Sequence, residues 1–278
     1  MTLSIFAAIL LAALLHALWN ALAKRQAEGR VSVLLVSLCS GLFSLPFLPL
    51  VGWPAPVEYP WLALSILLHC GYCLFLGRAY RLGEFGQIYP LARGSAPLVT
   101  LLFGALLLGE VPGVVAVAGA MVLVGGVLLM AWRGGIRLAP AALCAVLITA
   151  LFTAAYTLSD GVGARSAGEP IRYTLWLFTL TALMMPLLMR WQSRTALRSL
   201  TCAEWYSGAL GGALSLLAYG IVIWAMTRAP IGLVAALRES SVLFAVLLSW
   251  LWLGERLGRV RLMAALVILC GILLIRLG

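Results

Sequence analysis

The sequence predicts an all-α membrane protein of ten transmembrane helices, arranged as two inverted five-helix repeats. Three observations carry this prediction. The 278 residues are 64% hydrophobic and only 10% charged, with a mean hydropathy of +1.09. Soluble domains carry about 25% charged residues, so lipid rather than water must cover most of this surface. The apolar residues also fall into ten runs, each near the roughly 20 residues that cross a ~30 Å hydrocarbon core. Finally, the second half of the chain repeats features of the first at a fixed offset. Ten spans leave only short loops and no room for a soluble catalytic domain.

In chain order the predicted spans are 3–22, 31–51, 61–80, 86–108, 112–132, 138–159, 171–190, 204–226, 231–253 and 258–276. Span 1 is followed by Ala21-Leu22-Ala23, which has the form of a signal-peptidase site. It lacks a basic leader, however, and Lys24, Arg25 and Arg30 come after it; these are the flanks of a span whose N-terminus crosses outward. Span 3 contains Cys70-Gly-Tyr-Cys73. Inside an apolar helix this spacing reads as small apolar packing rather than redox chemistry. Span 4 carries Pro90-Leu-Ala-Arg-Gly-Ser-Ala-Pro97, and two prolines with a glycine predict an interrupted helix with freed backbone groups. Spans 5 and 10 each carry a late glycine, Gly126 and Gly271.

The net charge of +10 would suggest nucleic acid on a soluble chain, but here the basic residues lie between spans and report topology. Thirteen fall on one side: Lys24, Arg25, Arg30, Arg78, Arg81, Arg133, Arg137, Arg190, Arg194, Arg198, Arg256, Arg259 and Arg261. Four fall on the other: Arg165, Arg172, Arg228 and Arg276. Because basic loops stay cytoplasmic, both termini are expected to face away from the cytoplasm.

A shift of 145 residues carries Leu108-Gly-Glu110 onto Leu253-Gly-Glu255. The same shift carries Arg93 onto Arg238, Gly94 onto Glu239 and Gly126 onto Gly271. The two repeats are assigned to residues 1–133 and 137–278. Five spans is an odd number, so the halves enter the membrane from opposite sides. The flanks agree with that inversion: the first Leu-Gly-Glu is followed by Val-Pro-Gly-Val-Val and the second by Arg-Leu-Gly-Arg-Val-Arg. Inverted repeats are a feature of carriers that alternate access around a midplane site.

These features resemble the drug/metabolite transporter superfamily, specifically proteins with two tandem EamA-type domains. The pieces that carry the resemblance are the two Leu-Gly-Glu stretches and the run Leu14-Leu-His-Ala-Leu-Trp-Asn-Ala-Leu-Ala-Lys24. The resemblance implies a ten-helix inner-membrane carrier, commonly an exporter of amino acids or related metabolites. The run at 14–24, together with Arg93 and Arg238, is also similar to members linked to phosphonate use.

Arg93 and Arg238 lead the candidate substrate-binding residues. An arginine near mid-helix costs at least ~2.5 kcal/mol to insert and must face the bundle interior. Its planar fork suits carboxylate, phosphate or phosphonate, or else it makes a structural ion pair between the halves. Glu239 can reach Arg93 across the pseudo-two-fold axis, or serve as a proton-coupling carboxylate. These three mid-span groups sum to +1, favouring an anionic or zwitterionic ligand. His16, Asn20 and Lys24 form one polar stripe on span 1 with Trp19 beside it, and Thr153, Tyr156 and Thr157 stand at the equivalent place on span 6. Such a stripe faces a cavity or a neighbouring helix. His69, Tyr72, Tyr219 and Trp224 are secondary wall candidates. Glu110 and Glu255 sit at helix ends and suit the N-terminal dipole of the next helix, while Gly208 and Gly212 suit close packing.

No metal spacing and no Walker motif occur, so neither metal, cofactor nor nucleotide is expected. The expected partners are a small-molecule substrate and the lipid bilayer, without nucleic acid. An enzyme is not expected. The alternatives that the same composition permits are an intramembrane lipid-modifying enzyme and a lipid flippase.

Overall fold

The computed structural model describes residues 1–24, 29–82, 85–131, 139–192, 201–253 and 258–278. Arg25, Arg133, Arg137, Arg194, Arg198, Arg256 and the Gly254-Glu255 pair lie outside these residues, as do the side chains of Lys24, Arg30 and Arg190.

Every regular element among the described residues is helical. The first repeat forms α1 (Leu3–Lys24), α2 (Gly29–Ser44), a 3-10 turn (Leu45–Phe47), α3 (Leu48–Val51), α4 (Tyr59–Leu82), α5 (Phe85–Leu108) and α6 (Val114–Ala131). The second forms α7 (Pro140–Ser166), α8 (Pro170–Gln192), α9 (Cys202–Met226), α10 (Ile231–Arg238), α11 (Ser241–Leu253) and α12 (Arg259–Leu277). Among the described residues, seven helical stretches of 18 residues or more are apolar enough to cross a membrane, and two shorter ones, 35–51 and 114–130, are also apolar.

Four elements depart from the sequence reading. The predicted span 31–51 is segmented, because Pro46 and Pro49 withhold backbone donors and Gly52 closes the last turn at φ 72°. Helix α7 continues past residue 159 to Ser166 and stops before Gly168, at φ 71°. The predicted interruption around Arg93 is absent, since α5 runs unbroken through Pro90 and Pro97. Each of these prolines removes one ladder bond, at the carbonyls of Gly86 and Arg93, and the remaining bonds carry the helix across. The break lies instead in the other half, at Glu239 and Ser240 between α10 and α11. There the bonds tighten to the i→i−3 pattern, from Glu239 N to Ala236 O (3.0 Å), Ser240 N to Leu237 O (3.0 Å) and Val242 N to Glu239 O (3.0 Å).

Packing partners exchange between the halves. Helix α4 packs on α7 as α1 packs on α9, and α5 packs on α7 as α1 packs on α11. Helices α6 and α12, equivalent in the two halves, pack on each other, as do α2 and α8. Lipid offers no hydrophobic drive for such contacts, so close backbone approach over small residues must supply it. At α6–α12, a Cβ on Gly126 would lie 2.7 Å from the Ile268 side chain, and one on Gly271 would meet the Leu123 backbone. At α2–α9, a Cβ on Gly208 would stand 2.8 Å from Leu35 Cβ, and one on Gly212 2.7 Å from Cys39 Cβ. The Gly208/Gly212 pair is thus a packing surface.

One end of the bundle is tied by polar contacts. Arg165 at the end of α7 donates to the carbonyls of Met226 (2.7 Å) and Ala229 (2.9 Å) and pairs with Glu110. Arg172 on α8 pairs with the fully buried Glu58 at 3.0 Å. Arg276 donates to the carbonyl of Met1 at 3.2 Å, which places both chain ends here. Glu110 was expected to serve the next helix, α6. It accepts instead from Ile231 N at 2.7 Å, capping α10 of the other repeat. The dipole argument holds, but the Gly109 turn (φ 66°) aims the carboxylate across the bundle.

Candidate functional site

The side chains of Tyr72 and Leu76 (α4), Ala92 and Arg93 (α5), Thr153 and Tyr156 (α7), and Arg238 and Glu239 at the α10–α11 break enclose one cavity. The cavity is small, about 20 Å³, room for about one water molecule. Both intramembrane arginines line it, one from each half, as their common position in the repeat requires.

The two arginines are nevertheless in different states. Arg93 reaches across to Glu239 and forks it, with Nε 2.9 Å from Oε2 and Nη2 3.0 Å from Oε1. This planar two-bond geometry is the strongest form of ion pair available to arginine. Its Nη1 lies 3.0 Å from His16 Nε2. Arg238 approaches Glu239 Oε1 only to 3.7 Å, outside hydrogen-bond range. Its residue is 7% exposed, and its Nε makes no hydrogen bond. Its guanidinium carbon lies 5.9 Å from the ring centre of Tyr219. The i, i+1 spacing argues against any Arg238–Glu239 approach on a regular helix. The break at Glu239 allows the partial one observed.

Repetition with divergence explains the difference. Gly94, the counterpart of Glu239, offers Arg238 no carboxylate, and a Cβ at this glycine would already lie 2.8 Å from Leu128 Cδ2. One carboxylate therefore serves two pseudo-symmetric guanidiniums, and Arg93 takes both its oxygens.

The span 1 stripe divides. His16 meets Arg93, and Trp19 Nε1 donates to His16 Nδ1 at 3.2 Å. A neutral imidazole accepts at one nitrogen only, so Arg93 and Trp19 compete for it, and the charged donor at 3.0 Å is the better placed. Asn20 turns back to the carbonyl of His16 at 2.7 Å, satisfying its own helix rather than a cavity. Tyr156 lines the cavity, with His69 stacked on it (4.0 Å between ring centres) and Tyr72 edge-on (5.8 Å). Trp224 lies beneath the guanidinium of Arg228 at 4.5 Å and is not among the cavity walls.

A buried acidic residue next to the cavity escaped the sequence reading. Asp160, on α7, is 0% exposed. It accepts from Tyr173 Oη at 3.1 Å and Tyr219 Oη at 2.6 Å. Ending the sixth span at residue 159 put this carboxylate in a loop. The available signal was its spacing: Asp160 is i+4 from Tyr156, on the face that carries Thr153 and Tyr156.

No curated protein matches the chain. Among solved structures, one described only as the crystal structure of a protein covers 100% of this chain and 98% of its own, with a TM-score of 0.81 at 20% identity. At that identity the likeness concerns the fold alone. The EamA-like transporter family matches twice, over residues 3–132 and again over residues 140–277. The two matches take in α1–α6 and α7–α12, and both arginines of the cavity fall within them. A multi-pass helical membrane protein with a polar cavity between two matched halves is the form of a small-molecule transporter, and this chain belongs to the EamA-like transporter family of the drug/metabolite transporter superfamily.

Proposed function

We propose that the protein is a secondary carrier, an exporter or exchanger, of a small anionic or zwitterionic solute such as an amino acid or phosphonate. It works by alternating access in the inner membrane, with both termini periplasmic. In this reading the ten spans form two inverted repeats, 1–133 and 137–278, that rock about the cavity. The exchange of packing partners between the halves supports the inversion. The polar ties around Arg165 and Arg172 hold one end closed, and that end carries the four basic residues of the poorer side.

The observation that carries the solute class is Arg238. A guanidinium more than nine-tenths buried, lining a cavity and with an Nε that makes no hydrogen bond, is a costly arrangement without an anion to receive it. Arg93 cannot play the same part while it forks Glu239. It acts as the fixed half of the pair, holding the carboxylate away from Arg238. A solute carboxylate or phosphonate accepting from Arg238, with Tyr72, Tyr156 and Thr153 around it, completes the site.

Counterflow in proteoliposomes tests this, using labelled L-amino acids, 2-aminoethylphosphonate and dicarboxylates as the panel. At least one anionic or zwitterionic solute should exchange. Arg238→Lys should weaken its affinity by about tenfold or more, because a point charge replaces the fork. Exchange of none of them, or an Arg238→Lys variant equal to the parent, overturns the proposal. Movement of labelled lipid without solute exchange would select the flippase alternative.

A further inference from the structure

Glu239 is committed to the fork with Arg93, with Arg238 also close to it in a buried site. Asp160 is differently placed. It lies one helical turn past Tyr156 of the cavity, about 6 Å along α7, and about 9 Å before the end of that helix, where Arg165 makes its ties. It therefore sits between the cavity and the tied end of the bundle.

Each element packed around Asp160 contributes identifiable groups. Helix α8 gives the Tyr173 hydroxyl, and α9 the Tyr219 hydroxyl. Helix α4 gives Ser65 and His69, which lie beside the carboxylate. The His69 Nδ1 donates to the Ser65 carbonyl at 2.9 Å. Helix α10 gives only Ile231, packed on Gly161. Among the described residues, no lysine or arginine comes within ion-pair distance of Asp160. The carboxylate is held by the two tyrosine hydroxyls, with Ser65 and the His69 ring beside it. Phenol oxygens both donate and accept, so the same two tyrosines can bond the anion and, after one hydroxyl turns, the protonated acid. The cage suits either state.

We propose that Asp160 is the group that binds and releases a proton during transport, at a site separate from the Arg93–Glu239 pair. The proposal rests on the carrier reading above. A proton passes from water at the tied end onto one Asp160 oxygen and leaves later to water in the cavity; both tyrosines stay protonated and nothing is oxidised or reduced. Tyr219 links this site to the solute site, because its hydroxyl bonds Asp160 while its ring faces Arg238.

Infrared difference spectra of the protein in lipid nanodiscs, recorded through a pH titration without solute, test the proton site directly. A protonated-carboxyl C=O band should disappear with rising pH in the parent and in Glu239→Gln. It should be lost in Asp160→Asn, return displaced in Asp160→Glu, and move to higher frequency in Tyr219→Phe, which removes one hydrogen bond. A band that survives Asp160→Asn, or no titrating carboxyl band at all, overturns the proposal. In proteoliposomes, with each labelled solute of the panel as probe, Asp160→Asn should keep exchange but lose accumulation driven by a pH gradient. Retained accumulation also overturns it. If the parent exchanges no solute, the carrier reading falls and the transport role with it, while the infrared result still decides whether Asp160 titrates.

Discussion

At the scale of single residues, the molecule turns on one carboxylate shared unequally between two arginines. The repeat makes Arg93 and Arg238 equivalent by descent, and the Gly94/Glu239 divergence makes them unequal in chemistry. Removing the forked partner should therefore be a stability event and removing the other a binding event. Arg93→Ala strands a buried carboxylate, for which about 3–5 kcal/mol is the usual loss, and its unfolding temperature in detergent should drop clearly below the parent's. The Arg93→Ala/Glu239→Ala double variant should recover part of that loss. Arg238→Ala removes no hydrogen bond that the protein makes to itself through Nε, and should unfold near the parent temperature while losing solute affinity. Equal destabilisation by Arg93→Ala and Arg238→Ala would contradict this division of roles.

At the scale of elements, the helices are held by glycine-lined contacts and tied by polar termini. Gly271 and Gly125 give a matched comparison. A Cβ at Gly271 meets the Leu123 backbone, which cannot yield cheaply, whereas a Cβ at Gly125 has nothing within 4 Å. Gly271→Ala should cost about 1–3 kcal/mol through overpacking of α12 on α6. Gly125→Ala should be neutral or stabilising by up to about 1 kcal/mol, as alanine is the better helix former. Thermal unfolding of the two variants, side by side, checks the interface. The break at Glu239–Ser240 belongs to this scale as well, because it brings Arg238 and Glu239 to the cavity together from adjacent positions.

At the scale of the whole molecule, the polar ties collect at one end, where both termini, the Glu58–Arg172 pair and the Glu110–Arg165 pair are found. The distribution of basic residues predicts that this end is periplasmic. In a cysteine-free background, Glu169→Cys, in the exposed turn between α7 and α8, should react in intact cells with an impermeant maleimide added outside. Labelling only after the membrane is opened would reverse the orientation.

Composition and hydropathy were enough to establish an all-α membrane protein, because those properties depend on solvent and on sequence spacing alone; the EamA-like family came from the resemblance of the Leu-Gly-Glu stretches and the run at 14–24, and the family match bears it out. The intramembrane arginines were legible for the same reason: a charge in an apolar run demands an interior position, and the 145-residue offset carries Arg93 onto Arg238. That Glu239 could reach Arg93 across the axis rather than face its neighbour Arg238 was legible from the i, i+1 spacing; that Arg93 takes both carboxylate oxygens was decided by the approach of α5 to the α10–α11 break. Two prolines around Arg93 and none near Arg238 pointed to a break in the wrong half, because neighbouring contacts can carry a helix through a missing bond and can also break one that lacks none. Asp160 stayed hidden behind a helix end misplaced by a few residues. Its tyrosine cage is drawn from α8 and α9, and only tertiary packing brings those hydroxyls to one carboxylate.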